Sequence, residues 1–279
     1  MTVARRLIAV TLVLALAFAM AGCKKEPEAP ALDPKITPPV IGTAGVLKVG
    51  VDLSYPPFAG TDEGQNAGID VDVAAAIAER LGLKVELVDI TPNEMASALN
   101  EGTVDVMLGG ISITDAVLAD TSTAGSYLID GSGIFSVVPS DSVATTLTAA
   151  DLPGKRIAAQ KESPAFWTLE ADYGEGYATG YATLKEAFEA LAAGNADLVI
   201  GDAAVGAYIA RDFENVAFVG QFGAAEPLGV IVKKDATELE AAVREALDAL
   251  AADGTLDTIR SKWLGDLPAL EVPVAETTS

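Results

Sequence analysis

The sequence contains no histidine and a single cysteine, and its basic residues are scarce beside its acidic ones. Without histidine the chain lacks the commonest metal ligand and the commonest general base of enzymes. One cysteine cannot form an intrachain disulfide, which is the usual role of cysteine in exported domains. A transition-metal site would have to be built from carboxylates alone. We therefore expect no metal, no cofactor and no catalytic residue.

The charge balance argues against several classes of partner. The 18 basic and 40 acidic residues give a formal net charge of −22. A field of this sign repels nucleic acid and anionic lipid headgroups, so we expect no nucleic-acid partner. The acidic residues are spread along the chain, a pattern typical of a solvated surface. The chain also has no GxxxxGK[ST] loop, so nothing indicates ATP binding.

The first 22 residues have the three parts of an export signal. Arg5 and Arg6 precede an apolar run over residues 7–20, and two small residues then lead to Cys23. The run is shorter than the roughly 20 apolar residues of a membrane-spanning helix. The sequence therefore predicts a signal peptide over residues 1–22.

A small pair directly before Cys23 resembles the lipobox of bacterial lipoproteins, in which the cysteine receives a lipid and becomes the first residue. Met20 stands where that family more often has leucine. The alternative is an ordinary signal followed by an accidental cysteine. Five prolines are spaced over residues 23–45, which predicts an extended tether that joins no core.

Two parts of the remaining chain alternate between β-rich segments and amphipathic helical segments. In the first helical segment Val73, Ile77 and Leu81 are four apart, Asp70 stands at the N-cap position, and Gly82 ends the pattern. The alternation of strands and helices predicts parallel sheets covered by helices. Two lobes of about 100 residues each would account for the length.

Two apolar extended runs, GSGIFSVVP at 131–139 and LGVIVKK at 228–234, separate the alternating parts. They predict two hinge strands that cross between the lobes, with the helices of residues 237–265 returning to the first lobe. The fold prediction is an α/β, two-lobed protein in which each lobe is a mostly parallel sheet flanked by helices. The predicted boundaries are lobe 1 over 46–132 and 230–267, lobe 2 over 133–229, and a flexible tail over 268–279.

Six stretches carry a family resemblance in order and spacing: VGVDLSYPPF, GIDVDVAAAIAERLG, ALNEGTVDVMLGGISIT, DLPGKRIAAQ, ADLVIGDAAVGAYIA and DGTLDTIRSKWLG. From Leu47 to Gly265 the chain resembles the extracellular solute-binding proteins of ABC importers, in the polar amino acid family. The resemblance implies a type II periplasmic-binding-protein-like fold that closes on a small ligand. It also implies an ABC permease partner, an extracytoplasmic location with the lipid of Cys23 in the membrane, and a monomer.

The resemblance also implies where a ligand would bind. Asp202 matches the family's ammonium-binding carboxylate, and the other matched positions supply an aromatic wall, backbone groups and hydroxyls. Together with Lys161, the only basic side chain in the matched cleft segments, the predicted contacts are Asp52, Tyr55, Phe58, Gly110, Ser112, Thr114, Lys161, Ser163 and Asp202. Each class has another interpretation: the aromatic rings as core packing, the hydroxyls and Asp202 as helix caps, and Lys161 as a solvated surface residue.

The chain departs from the family pattern at three positions. Val117 stands where the family has an arginine that pairs with the ligand carboxylate, and valine cannot form that bond. Pro164 has no N–H to offer an anion, and Pro92 replaces a frequent wall aromatic. We expect a pocket that binds an ammonium group through Asp52 and Asp202 and recognises a carboxylate weakly or not at all.

The sequence thus predicts a solute-binding lipoprotein that delivers an amino acid or an amine-bearing small polar solute to an ABC importer. One alternative is a sensor or other non-transport binding lipoprotein of the same fold. Another is an enzyme like the cyclohexadienyl dehydratases, which would use a cleft carboxylate as acid or base. Those substrates carry two carboxylates, which the missing arginine disfavours, so no enzyme is expected.

Overall fold

A computed structural model describes residues 32–272 of the chain. The predicted signal peptide, Cys23, the tether up to residue 31 and residues 273–279 lie outside the described residues. Within residues 32–272, every helix is too short or too polar to cross a membrane.

The described chain forms ten strands, eight of which make one mixed sheet in the order β4-β1-β5-β10-β6-β9-β7-β8. The other two, β2 and β3, form a separate hairpin. The strands are β1 (Val46–Val51), β2 (Gly60–Asp62), β3 (Gln65–Ala67), β4 (Lys84–Asp89), β5 (Val106–Met107), β6 (Thr121–Val137), β7 (Ile157–Gln160), β8 (Ala178–Tyr181), β9 (Leu198–Asp202) and β10 (Val216–Lys233).

Eight α-helices flank the sheet within the described residues. They are α1 (Ile69–Arg80), α2 (Met95–Glu101), α3 (Asp115–Asp120), α4 (Pro164–Tyr173), α5 (Leu184–Ala192), α6 (Ala203–Ala210), α7 (Thr237–Ala252) and α8 (Thr255–Leu264). The last two pack on the first lobe, since Leu247, Leu250, Ile259 and Leu264 join its core. The C-terminal helices thus share the hydrophobic core of β1 and α1.

Helix α1 is confirmed with its predicted buried positions, but its predicted cap is wrong. The N-cap is Gly68, whose φ of 150° is accessible to glycine. A Cβ at this position would lie 2.1 Å from the carbonyl oxygen of Phe58. Asp70 therefore falls inside the first turn, where its side chain is fully buried.

The long strands β6 and β10 join the two lobes, as the two-lobed fold prediction requires. They pair antiparallel with each other, and β10 also pairs with β5 while β6 pairs with β9. The register between β6 and β10 breaks after Phe222 and resumes where Ala225 faces Gly131. Ala225 and Leu228 belong to the core of the first lobe, so the second crossing comes before the predicted boundary at residue 229.

Hydrophobic clusters divide along the same line. The largest lies between α1, α7, α8 and strands β1, β5 and β10 of the first lobe. Two clusters fill the second lobe, one around Leu169 and Ile200 and the other around Phe135 and Phe188. Each lobe thus has its own core, and Ala203 and Ala204 at the start of α6 join the first-lobe cluster.

The predicted tether is packed over its described part, which corrects the expectation that it joins no core. Ile36 and Ile41 are buried in the first lobe. The backbone is tied down by bonds from Lys35 N–H to the carbonyl of Leu81 (2.9 Å) and from Gly42 N–H to Asp105 (2.8 Å). Ile36, between Pro34 and Pro38, and Ile41, after Pro39, supply the apolar surface that holds the segment in place.

The start of the predicted flexible tail is also packed. Leu270 is buried with Leu267 in the first-lobe core. The side-chain amide of Gln221, on β10, exchanges two bonds with the backbone of Glu271: Nε2 donates to its carbonyl (2.8 Å) and Oε1 accepts from its N–H (2.7 Å). Residues 268–272 therefore bridge the first-lobe core and β10.

Candidate functional site

The predicted ligand contacts follow the carboxyl ends of four strands. Asp52, Tyr55 and Phe58 follow β1, Gly110 to Thr114 follow β5, Lys161 and Ser163 follow β7, and Asp202 ends β9. Strands β1 and β5 are parallel neighbours, and so are β7 and β9. Loops at the carboxyl ends of parallel strands meet at one edge of a sheet, which is where α/β proteins bind ligands.

The aromatic wall consists of one exposed ring and one buried ring. Tyr55 is 36% exposed, whereas Phe58 is 1% exposed. The two rings stack with centroids 5.0 Å apart and planes 28° from parallel. Gly110, with φ of 62°, lies against both, and a Cβ there would be 3.2 Å from Tyr55 Cε1. Tyr55 can present its face to a ligand, and Phe58 supports it from the core.

The polar residues of the first-lobe loops make local bonds. Asp52 accepts from Ser54 N–H (2.9 Å) and from the Ser54 hydroxyl (2.6 Å), which fixes the turn after β1. Thr114 caps α3 by accepting from Val117 N–H (3.4 Å). Ser112 forms an isolated β-bridge with Leu228 of β10. The capping interpretation of Thr114 is therefore correct, and Ser112 is placed by the hinge strand.

The second-lobe loop after β7 has two different side chains. Ser163 caps α4 by accepting from Phe166 N–H (3.2 Å), with Pro164 in the first turn as predicted. Lys161 is exposed, and its stem lies beside Gly180 of β8, where a Cβ would be 3.3 Å from the Lys161 Cβ. Val117 packs against the cluster around Met107.

Two carboxyl groups meet at the N-terminus of α6. Asp202 accepts from Val205 N–H (2.8 Å) and caps the helix, while Asp130 accepts from Ala204 N–H (3.1 Å). Asp130 reaches this point because Ser132 of β6 pairs with Asp202 of β9. It is 6% exposed, whereas Asp202 keeps a partly exposed edge. The N-terminus of a helix favours negative charge, but here two carboxyl groups occupy it together.

The two acids differ in proton affinity. Burial, and then the charge of Asp202, raise the pKa of Asp130 well above its ordinary value. Burial also raises the pKa of Asp202, and hydrogen bonds from Val205 N–H, Asp130 and Tyr55 counteract that rise. Burial and the nearby charges of Asp202, Asp130 and Asp70 raise the pKa of the Tyr55 hydroxyl. Burial and the neighbouring negative charge thus favour the protonated form of Asp130.

A third buried acid supports the Gly110 loop. The Tyr127 hydroxyl donates to Asp70 Oδ1 (2.6 Å) and accepts from Gly110 N–H (3.2 Å). The other oxygen, Asp70 Oδ2, is buried without a partner. Burial raises the pKa of Asp70 to about 7, although the bond from Tyr127 opposes this. The network joins α1, β6 and the loop that carries Ser112.

The stability of the protein should fall as the pH rises through neutrality, in part because of Asp70. The folded pKa of about 7 lies above the ordinary aspartate pKa of about 3.9, so the folded state binds the proton more tightly than the unfolded state. The stabilising contribution is complete below about pH 4 and is lost as the pH rises through about 7. Urea unfolding at pH 5 and pH 8 should show a smaller difference in unfolding free energy for Asp70→Asn than for wild type. Equal differences would contradict this assignment.

Sequence reasoning missed Asp130, Asp70 and Tyr127. Asp130 lies in the middle of a long strand, and only the pairing of β6 with β9 brings it to Asp202. Asp70 was assigned to a cap. One signal was available for Asp70: it precedes Val73 by three residues and so continues the buried face of α1, whereas Asp72 of the same turn is partly exposed.

None of the five ion pairs among the described residues includes Asp70, Asp130 or Asp202. A groove of about 710 Å³ lies elsewhere, between residues 144–148, the start of β10 and residues 268–272, and its lining includes no predicted ligand contact. The charged part of the candidate site is therefore the carboxyl pair, with the Tyr55 ring beside it.

Several of the known proteins that this chain resembles are named as amino-acid-binding proteins. The L-cystine-binding protein TcyJ of Escherichia coli K12 is 27% identical over 224 residues, which cover 79% of this chain and 83% of TcyJ. An ancestral arginine-binding protein bound to arginine is 32% identical, with a TM-score of 0.57 over 79% of this chain and 99% of its own.

Substrate binding domain 2 of Lactococcus lactis GlnP, in an open conformation, is 26% identical, with a TM-score of 0.69 over 84% of this chain and 98% of that domain. The family described as bacterial extracellular solute-binding proteins, family 3, matches residues 47–266. The chain belongs to this family of bacterial extracellular solute-binding proteins.

Proposed function

We propose that the protein captures an amino acid or a related amine-bearing small polar solute between its lobes and delivers it to an ABC importer. The observation that carries this proposal is the Asp130 and Asp202 carboxyl pair beside the exposed ring of Tyr55. A carboxylate in a closing cleft is costly unless it meets a cation, and a ligand amine would form a charge-assisted hydrogen bond with it. The aromatic face would contact the rest of the ligand.

The proposed specificity favours cations over acids. Val117 packs into a hydrophobic cluster, and the Ser163 and Thr114 hydroxyls accept bonds from helix N–H groups. The hydroxyls can still donate to a carboxylate, but no arginine fork is available at these positions for bidentate pairing. Lys161 would be the one basic side chain of the matched segments near the ligand. The relatives named for arginine and cystine bind amine-bearing solutes, which agrees with this proposal.

A calorimetric panel tests the function and the specificity together. Binding should be strongest for agmatine and L-arginine, intermediate for L-cystine and L-glutamine, and weakest for L-glutamate. The reason is that each positive charge removed from the ligand, or each carboxylate added to it, weakens its binding to the acidic site. Agmatine and arginine form a matched pair that differs by the α-carboxylate. Tightest binding by glutamate would refute the specificity, and no binding across an extended panel of amino acids and amines would refute solute capture.

We propose binding without turnover. Asp130, the acid whose raised pKa would suit a general acid, is only 6% exposed and is held by Ala204 N–H. Product formation from a cyclohexadienyl substrate would overturn this. A sensing role for the same fold would be indicated by a sensor kinase, instead of a permease and ATPase, encoded beside this protein.

We also propose that the protein is a monomer held at the outer face of the membrane by a lipid on Cys23. The support is the export signal pattern that ends in a small pair and a cysteine. After expression in a bacterial host, the wild-type protein should partition with membranes and dissolve in detergent. Cys23→Ser should lose this behaviour, and an unchanged distribution would refute lipidation at this residue.

A further inference from the structure

The carboxyl groups of Asp130 and Asp202 are held on consecutive amides of one helical turn. Ala204 N–H binds Asp130 and Val205 N–H binds Asp202, at 3.1 and 2.8 Å. Consecutive amides are a few ångströms apart, so the carboxyl groups that bind them must also be close. Two carboxylates at such a distance in a buried site cannot both ionise cheaply.

Within residues 32–272, the ionisable groups beside the pair bring no positive charge. Tyr55 from the loop after β1 and Tyr127 from β6 face the pair, and Asp70 from α1 lies beside both tyrosines. All three are neutral or acidic. The five ion pairs among residues 32–272 lie elsewhere. The helix amides offer partial positive charge, and they are shared between both acids.

We propose that Asp130 and Asp202 hold one proton between them in the ligand-free protein, and that a cationic group entering the cleft displaces this proton to solvent. The inference deepens the proposed function, because the cation is the amine of the ligand. In the free state Asp130 carries the proton and donates it in a hydrogen bond to Asp202. In the bound state the ligand ammonium donates to Asp202, both acids are ionised, and the proton has passed to bulk water.

Binding of a cation should then depend on pH in one direction. While the free pair holds its proton, each cation bound releases up to one proton. Affinity therefore rises with pH, by at most about tenfold per pH unit, and levels off where the free pair is already ionised. Asp130→Asn keeps a hydrogen-bond donor facing Asp202 but has no proton to release, so its affinity should be nearly independent of pH over the same range.

The first measurement uses the protein without ligand. A ¹³C NMR titration of the aspartate carboxyl groups should show a signal that is absent from Asp130→Asn and titrates well above the ordinary aspartate range. Asp70→Asn is the matched control, since it removes the other acid with a raised pKa and should leave that signal in place. If no signal assigned to Asp130 titrates above the ordinary range, the shared proton is disproved, whatever the ligand.

The second measurement is calorimetry with agmatine and L-arginine in two buffers of different ionisation enthalpy. At a pH where the pair holds its proton, wild type and the exposed-site control Asp212→Asn should release a proton on binding, and Asp130→Asn should release none. Equal proton release from wild type and Asp130→Asn would overturn the coupling. A shared proton seen by NMR without binding of either probe would reject the coupling for these cations and count against the proposed function, so the two failures are distinguishable.

Discussion

Asp202→Asn should weaken binding of agmatine or L-arginine by roughly 2–5 kcal/mol, the usual cost of removing one partner of a desolvated charge pair. This corresponds to a loss in affinity of about 30-fold to several thousand-fold. The reason is that Asp202 is the member of the carboxyl pair with an exposed edge, while Asp130 lies behind it. Isothermal titration calorimetry of the wild type and of Asp202→Asn with the same ligand measures the change.

The substitution separates binding from folding. Asparagine is as good an N-cap as aspartate, so α6 should keep its bond from Val205 N–H and its stability. Asp212→Asn is the matched control, because that carboxylate is exposed and pairs only with Lys185 among its side-chain contacts. Unchanged affinity in Asp202→Asn would remove this residue from the site, and equal losses in both variants would point to a long-range effect of charge.

Phe135→Ala should lower the unfolding free energy by about 3–5 kcal/mol, the range for removing a buried aromatic ring. Phe135 is fully buried and contacts the rings of Phe188 and Phe218, with centroids 5.1 and 5.7 Å away. It also lies over Gly206 of α6, where a Cβ would be 2.4 Å from its ring. Chemical denaturation should show the loss, and Val143→Ala, at a side chain 93% exposed, should show almost none.

A double-mutant cycle tests whether the ring and the glycine are fitted to each other. Gly206→Ala alone should destabilise the protein because the methyl group meets Phe135. In the Phe135→Ala background the same change should be stabilising by up to about 1 kcal/mol, since alanine is the better helix former and the space is free. Additive effects would show that the contact between Phe135 and α6 carries no coupling.

Much of the fold could be predicted because several elements carry their own end signals. Helix α4 begins at the predicted serine cap and proline, and α1 shows its apolar face every fourth residue. Strand β8, the β2-β3 hairpin and helix α3 were not predicted, since each is too short to show a period. The packing of residues 32–45 could not be predicted for a different reason. Ile36 and Ile41 are isolated apolar residues in a proline-rich segment, and only the structure shows that they pack on the first lobe.

The residues of the candidate site also differ in whether the sequence alone could predict them. Asp202 could be predicted because it ends an apolar strand at a position that matches the ammonium-binding carboxylate of the family that the chain resembles. Asp130 could not, because it depends on the register that sets Ser132 opposite Asp202. Local pattern places residues at the ends of elements, whereas a contact between two strands is a property of their pairing. The buried acid that tunes the site was therefore visible only in three dimensions.

The segment after α8 adds a noncovalent connection between the lobes to the two covalent crossings of β6 and β10. Its leucines are anchored in one lobe, and Glu271 is held by Gln221 at the other end of the crossing. Two strands alone allow the lobes to bend and to twist relative to each other. A third connection that lies off the axis of the strands resists the twisting motion. The swing of the second lobe is thereby restricted to directions that neither stretch these residues nor break the amide pair.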